Sequence, residues 1–246
     1  PLAAERRLAL PRDAIAIAAG RAQDLIPDSD PALEGELLLV AHRGGHVSSF
    51  IDPGPGSELL LQDVLALGPP GRPLLEPTGI VFDPTTHLAY VSIYARDLSA
   101  LSDKKVLGRV GLVSSGSLDF PSTLFDAGVL SLEAVSLGRD TRDIVLNPLN
   151  PGEAFVVSRA PNGVLWVDLA GTQNGESEPT QAIVKHNTSV GRGPSRVITG
   201  TLGDRTVAIV SCFESRQIFI LDAATSEVLS VVHNFSGPFE LGLDSA

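Results

Sequence analysis

Arginine stands at position 43, again 53 residues later at 96, and again at 159, each time just beyond a short apolar run. A guanidinium is a planar fork of donors that grips a carboxylate or phosphate through two parallel hydrogen bonds. Three of them presented by one recurring element would suit a small anion. Other charged residues fall at related points: Arg142, Asp143, Arg196, Glu214, Arg216 and Glu240. The plainer use of these arginines is structural. The net charge is −11 and acids are interleaved, so these arginines are expected to pair with neighbouring carboxylates such as Asp143 and Glu240.

Hydrolytic chemistry would need a general base, or a metal held by carboxylates with an Asn or His. The candidates are Glu76, Asp143, Glu214 and Glu240. His42 and His46 are four apart, but in a strand–turn–strand, so they do not share a helix face as zinc-protease ligands do. Asp24, Asp28, Asp30 and Glu34 sit in one segment without the Gly-containing twelve-residue loop of a calcium site, and read as a solvated acidic turn. Gly111–Gly116 lacks phosphate-loop spacing, and Ser114–Ser117 lacks the strand-to-helix setting of a hydrolase nucleophile. No cofactor, no metal and no catalytic residue is assigned.

Composition narrows the classes further. Hydrophobic residues make up 43% of 246, enough for a packed core. The apolar runs, such as Leu37–Ala41 and Val207–Val210, are far short of the roughly 20 residues of a membrane-spanning helix. The negative charge argues against a nucleic-acid binder, which needs a basic stripe. A single cysteine, Cys212, excludes an internal disulfide and reads as a packed small hydrophobe. The chain has no methionine and opens on proline, so a native start is expected to lie upstream.

The elements that must position these residues recur in a fixed order. A first segment is seen at Arg12–Ile15, Pro77–Pro84, Arg142–Pro148, Pro194–Ile198 and Pro238–Asp244. A second follows at Leu37–Arg43, Leu88–Tyr94, Ala154–Arg159 and Thr206–Phe213. A third lies at Val47–Asp52, Arg109–Ser114, Gly163–Asp168 and Gln217–Asp222, and a weaker fourth at Glu58–Leu65, Thr123–Leu132, Gln181–His186 and Glu227–His233. The segments are short, rich in Val, Ile, Leu and Phe, and bounded by Gly, Pro, Asn or Asp, which is strand chemistry. Asp168 and Asp222, which close equivalent third segments, are 54 positions apart.

Four strands per unit of about this length predict an all-β fold, a β-propeller of four-stranded antiparallel blades. An immunoglobulin-like sandwich is the alternative, but it does not repeat in units of four. The expected blades are 12–67, 77–137, 142–192 and 194–236, with a partial blade at 238–246, in one domain. Because an open ring exposes sheet edges, the chain is expected to be part of a six- to eight-bladed ring continuing beyond Ala246. A small closed ring of four or five blades is the alternative.

Tyr90-Val91-Ser92, Phe155-Val156-Val157-Ser158 and Ala208-Ile209-Val210-Ser211 resemble the YVTN repeat of bacterial propellers, a lactonase-like family. That repeat runs into a strand ending in Asp, as at Asp222, and the next unit opens on a Gly-Pro pair, as at Gly193-Pro194 and Gly237-Pro238. No unit here keeps the final Asn of the motif. The resemblance implies a propeller, with a periplasmic, outer-membrane-associated or extracellular location.

In such a blade, loops joining strands two and three share a face with loops joining consecutive blades. That top face holds Arg43, His46, Arg96, Asp97, Arg159, Asn162, Glu214 and Arg216, with Glu76, Arg142, Asp143, Ser195, Arg196 and Glu240 from the inter-blade loops. Two insertions, Arg21–Gly35 and Ala95–Gly108, break the repeat, the second on the top face with Asp103, Lys104 and Lys105. The resulting expectation is a non-catalytic binding or scaffold propeller. It would recognise a protein partner or a small anionic ligand through Arg43, Arg96, Arg142, Asp143, Arg159, Arg196, Glu214, Arg216 and Glu240. A lactonase-like hydrolase using carboxylates at the channel mouth is the alternative.

Overall fold

Short β-branched and leucine-rich runs between Gly, Pro and Asx turns form antiparallel strands joined to their chain neighbours. In a computed structural model of the protein, residues 13–28, 33–68, 76–94, 106–116, 121–132, 140–172, 181–233, 236–238 and 241 are described. They form sixteen strands and one helical turn.

The first meander comprises β1 (Ala14–Arg21), β2 (Glu36–His42), β3 (His46–Asp52) and β4 (Leu60–Ala66), paired in that order. The second is β5 (Pro77–Asp83), β6 (Leu88–Ile93), β7 (Val106–Ser114) and β8 (Ser122–Ser131). The third is β9 (Thr141–Leu146), β10 (Glu153–Arg159), β11 (Asn162–Thr172) and β12 (Gln181–Ser189). The fourth is β13 (Pro194–Leu202), β14 (Arg205–Cys212), β15 (Gln217–Asp222) and β16 (Val228–His233). Every pairing within a meander is antiparallel. The second and third meanders also join at their outer edges, through one parallel pairing of Gln181 with Ser131.

The meanders stack face to face. First strands touch in sequence, β1 on β5, β5 on β9 and β9 on β13, while fourth strands meet on the other side, β4 on β8 and β8 on β12. Consecutive four-stranded sheets sharing an inner edge of first strands are the propeller arrangement. The stacking also explains the apolar runs. Along β10, Ala154 and Val156 face a core shared with Tyr90, Leu107 and Leu130 of the second meander. Phe155 and Val157 face the opposite core, shared with Val197, Ala208 and Val210 of the fourth. A strand buried on both faces loses the polar alternation of a half-exposed one. A third core joins Leu37, Leu39 and Val47 of the first meander to Ile80, Val91 and Val110 of the second.

Two segments differ from the sequence reading. The insertion after the first strand is not only an acidic turn. Arg21 closes β1, and a single helical turn, α1 (Ala22–Leu25), seats Ala22, Leu25 and Ile26 in the first core. Its Leu25 carbonyl lies 3.1 Å from His87 Nδ1. β1 itself runs on to Arg21 because every residue from Ala16 to Arg21 finds a partner on β2. The positions Asp30, Arg96, Asp97, Asp103, Lys104, Lys105 and Glu240, and most of the partial blade, lie outside the described residues.

Candidate functional site

The start of each meander is built the same way. The residue before the first strand has a positive φ: Asp13 (63°), Glu76 (56°), Asp140 (125°) and Gly193 (66°). Side chains other than glycine seldom take this conformation. Here it turns the residue's carbonyl towards the end of the second strand. That carbonyl accepts from Arg43 N over Asp13 O at 3.0 Å, Tyr94 N over Glu76 O at 2.9 Å, Arg159 N over Asp140 O at 3.0 Å, and Phe213 N over Gly193 O at 2.9 Å. The structural equivalents are therefore Arg43, Tyr94, Arg159 and Phe213. Tyr94, rather than Arg96, holds the position in the second meander, and Phe213, rather than Glu214, in the fourth.

A β-bulge follows at once. One residue of each first strand is skipped in the ladder: Ile15, Thr78, Arg142 and Ser195. A bulge re-aims a side chain at the cost of a pairing. All four skipped residues line a single cavity of about 370 Å³, together with Arg43, Glu76, Pro77, Tyr94, Arg159 and Arg196. Every meander contributes to it, through the end that the sequence reading assigned to the top face.

Four arginines share this wall, and three are held in place by the protein. Arg142 forms an ion pair with Asp140, donates from Nη2 to Asp140 Oδ2 at 3.2 Å, and lies 4.4 Å from the centroid of the Tyr94 ring. Arg159 donates from Nε to Pro194 O at 3.0 Å and from Nη2 to Ser195 Oγ at 2.9 Å. Burial, then the charge of Arg142, pulls the Arg159 guanidinium below its usual value, against Asp140 and Glu214; it still carries its charge. Arg196 donates from Nη1 to Thr78 O at 3.0 Å and stands 3.8 Å from Asp143 Oδ1. Arg43 is exposed, and its side chain makes no hydrogen bond or ion pair among the described residues.

The remaining candidates separate from this group. Asp143 accepts from Val197 N at 3.0 Å through Oδ2, so it fastens β9 to β13 and does not line the cavity. Gly79 is required beside it: a Cβ there would fall 2.5 Å from Asp143 Oδ1 and 3.0 Å from its Cα. Glu214 packs on Gly193, where a Cβ would come within 2.7 Å of Glu214 Cγ. Neither Glu214 nor Arg216 lines the cavity, and Arg216 is exposed on the β14–β15 turn. Of the four carboxylates proposed for hydrolysis, Glu76 is the one among the described residues that lines it. His42 is buried, with Nε2 3.0 Å from Ser48 Oγ, and serves the first meander.

Ile15, Thr78, Tyr94 and Asp140 went unnoticed as site residues in the sequence. Their common signal is position relative to Gly193-Pro194, but Asp13, Glu76 and Asp140 hide the glycine that would have marked it.

No family model matches the chain, and no curated protein sequence does. Solved structures do. A 6-phosphogluconolactonase candidate from Bacteroides fragilis aligns with a TM-score of 0.55 and 16% identity, over 87% of this chain and 54% of that one. Hydrazine synthase of Kuenenia stuttgartiensis aligns with a TM-score of 0.52 and 16% identity, over 95% of this chain and 53% of that one. Apo AztD from Citrobacter koseri gives 0.49 and 11%, over 94% and 49%. The chain thus spans about half the length of the solved structures it matches. At these identities the likeness concerns the fold.

Proposed function

We propose that this chain is a binding propeller that holds a small anionic ligand in the cavity at the inner, top-face end of its four meanders. What carries the reading is the convergence of Arg43, Arg142, Arg159 and Arg196 on one bounded space of about 370 Å³ in a chain of net charge −11. The volume is at the small end of ligand pockets. Local concentration of positive charge against an acidic background attracts an anion and rejects cations. Three of the arginines are fixed by backbone carbonyls, hydroxyls and carboxylates before any ligand arrives. Such preorganisation lowers the ordering cost of binding.

Isothermal titration of the protein with a panel of small carboxylates and inorganic phosphate tests the reading. Saturable binding that weakens as sodium chloride is raised is the expected result, since exposed charge–charge contacts are screened. Absence of saturable binding to every member of the panel at low salt overturns it. Glu76→Gln provides a second check, because removing a negative group from the wall is expected to tighten anion binding.

A further inference from the structure

We infer that two copies of this chain join head to tail into one closed ring, the outward face of the fourth meander seated on the outward face of the partner copy's first. The inference goes beyond the anion-binding reading and does not depend on it.

Each junction between meanders uses the same position of the second strand. Four residues before Arg43, Tyr94, Arg159 and Phe213 stand Leu39, Tyr90, Phe155 and Ile209. Leu39 is buried against the second meander, Tyr90 against the third and Phe155 against the fourth. Ile209 has the same place and direction, but no further sheet meets it among the described residues, and it is half-buried. Ile198 and Ile220 flank it in register, so one apolar row crosses three strands. Val232, on the outermost strand of that face, is 41% exposed.

The first meander carries the converse face. Val91, Val156 and Val210, three residues before the same strand ends, are each buried against the preceding meander. Their equivalent, Val40, points to a side where no preceding meander is described. Val40 and Phe50 at the centre of that face are buried, but Ile17, the β1 partner of Val40, is 63% exposed and Val64 is 39% exposed. The run of first strands does not close on itself: β1 and β13 do not pack as β1 and β5 do.

These two faces are the halves of a junction that the fold already builds between its own meanders. The sheet that fits Ile209 is therefore one with the outward face of the first meander, and a second copy supplies it. The partner's fourth meander then meets the first copy's first, so two equivalent junctions form and the assembly closes instead of growing into a filament. Two sets of four sheets make a ring at the upper end of the propeller range of about four to eight. The chain spans 54% and 53% of two structures that share its fold, so two copies match their content. Closure also covers apolar sheet faces that a lone chain leaves in water.

The test is sedimentation velocity with light scattering on the wild-type chain at micromolar concentration. A single species of twice 25.7 kDa is expected. Ile17→Asp and Ile209→Asp, one on each face, are each expected to run as monomers with wild-type circular dichroism. Val232→Asp, exposed on the same face, replaces Ile209→Asp if that variant fails to fold. Val113→Asp, 48% exposed on the second meander, should remain a dimer. Mixing Ile17→Asp with Ile209→Asp should restore a dimer through one junction, because each keeps the face that the other has lost. A monomeric wild type overturns the inference and leaves the two faces to other protein segments. A mass that grows with concentration overturns closure, a dimer that persists in Ile17→Asp overturns the junction, and a mixture that stays monomeric overturns the head-to-tail arrangement. None of these outcomes bears on the anion site, which is read by its own titration.

Discussion

Arg196 and Thr78 are 118 positions apart, and the Arg196 guanidinium donates to the Thr78 carbonyl at 3.0 Å. The bond links the fourth meander directly to the second, past the third, whose Asp143 stands 3.8 Å from the same nitrogen. Inner strands of successive sheets converge at this end, so a long side chain can bridge meanders that share no core. Arg196 thus ties the second meander to the fourth as well as lining the cavity.

Arg196→Ala should therefore destabilise the fold as well as widen the cavity. Loss of a hydrogen bond from a charged donor to a carbonyl, with its ion pair, is expected to cost about 2 kcal/mol. Urea unfolding followed by the fluorescence of Trp166, the single tryptophan, measures it. A midpoint equal to wild type would show that the bridge contributes nothing.

Thr141 joins the second and third meanders. Its buried Oγ1 donates to Ile93 O at 2.9 Å and accepts from Ile93 N at 3.0 Å, while Thr141 O accepts from Thr78 Oγ1 at 3.0 Å. Thr141→Val keeps the shape and strands both polar groups of Ile93, at a cost of about 2–3 kcal/mol. Thr141→Ser, which keeps the hydroxyl, should lose less than half as much in the same urea titration.

Glu153 anchors an outer cluster at the far end from the cavity. It accepts from Trp166 Nε1 at 2.7 Å and from Lys185 Nζ, which also lies 3.9 Å from Asp168. Burial raises the Glu153 pKa, but the bonds from Lys185 and Trp166 outweigh it and hold it below the usual 4.5. A depressed carboxylate contributes stability that is present above its unfolded value and is lost as pH falls through its folded value. Wild type should accordingly lose stability below about pH 4.5 more steeply than Glu153→Gln. Trp166 fluorescence should change over the same range, and identical pH profiles for the two proteins would refute the coupling.

Cys212 is fully buried at the end of β14, and burial pushes its thiol up to about 11. The thiolate is the reactive form. A disulfide reagent at pH 8 should leave the folded chain unmodified and react with one thiol per chain once urea unfolds it. Rapid labelling of the native protein would place Cys212 in a more open environment.

The strand-forming units were legible in the sequence because their cause is local. Short Val/Ile/Leu runs end at Gly, Pro and Asx turns, and β10 is apolar from Ala154 to Val157 because both its faces are covered there. The top face followed from the alternation of strand direction within a blade; of the residues grouped there, Arg43, Arg142, Arg159 and Arg196 line one cavity, whereas Asp143, Glu214 and Arg216 do not. Tertiary structure decided the rest. Which residue a bulge skips depends on the hydrogen-bond register between two strands, so Thr78 and Ser195 reach the cavity while Asp143 turns to Val197 N. Whether an arginine is spent depends on what the next meander brings to it. Asp140 and Tyr94 hold Arg142, the β13 start holds Arg159, and the second meander offers Thr78 O to Arg196. Arg43 has no such neighbour among the described residues. Side-chain type is written in the sequence; the partner that neutralises it is supplied by strands up to 118 positions away.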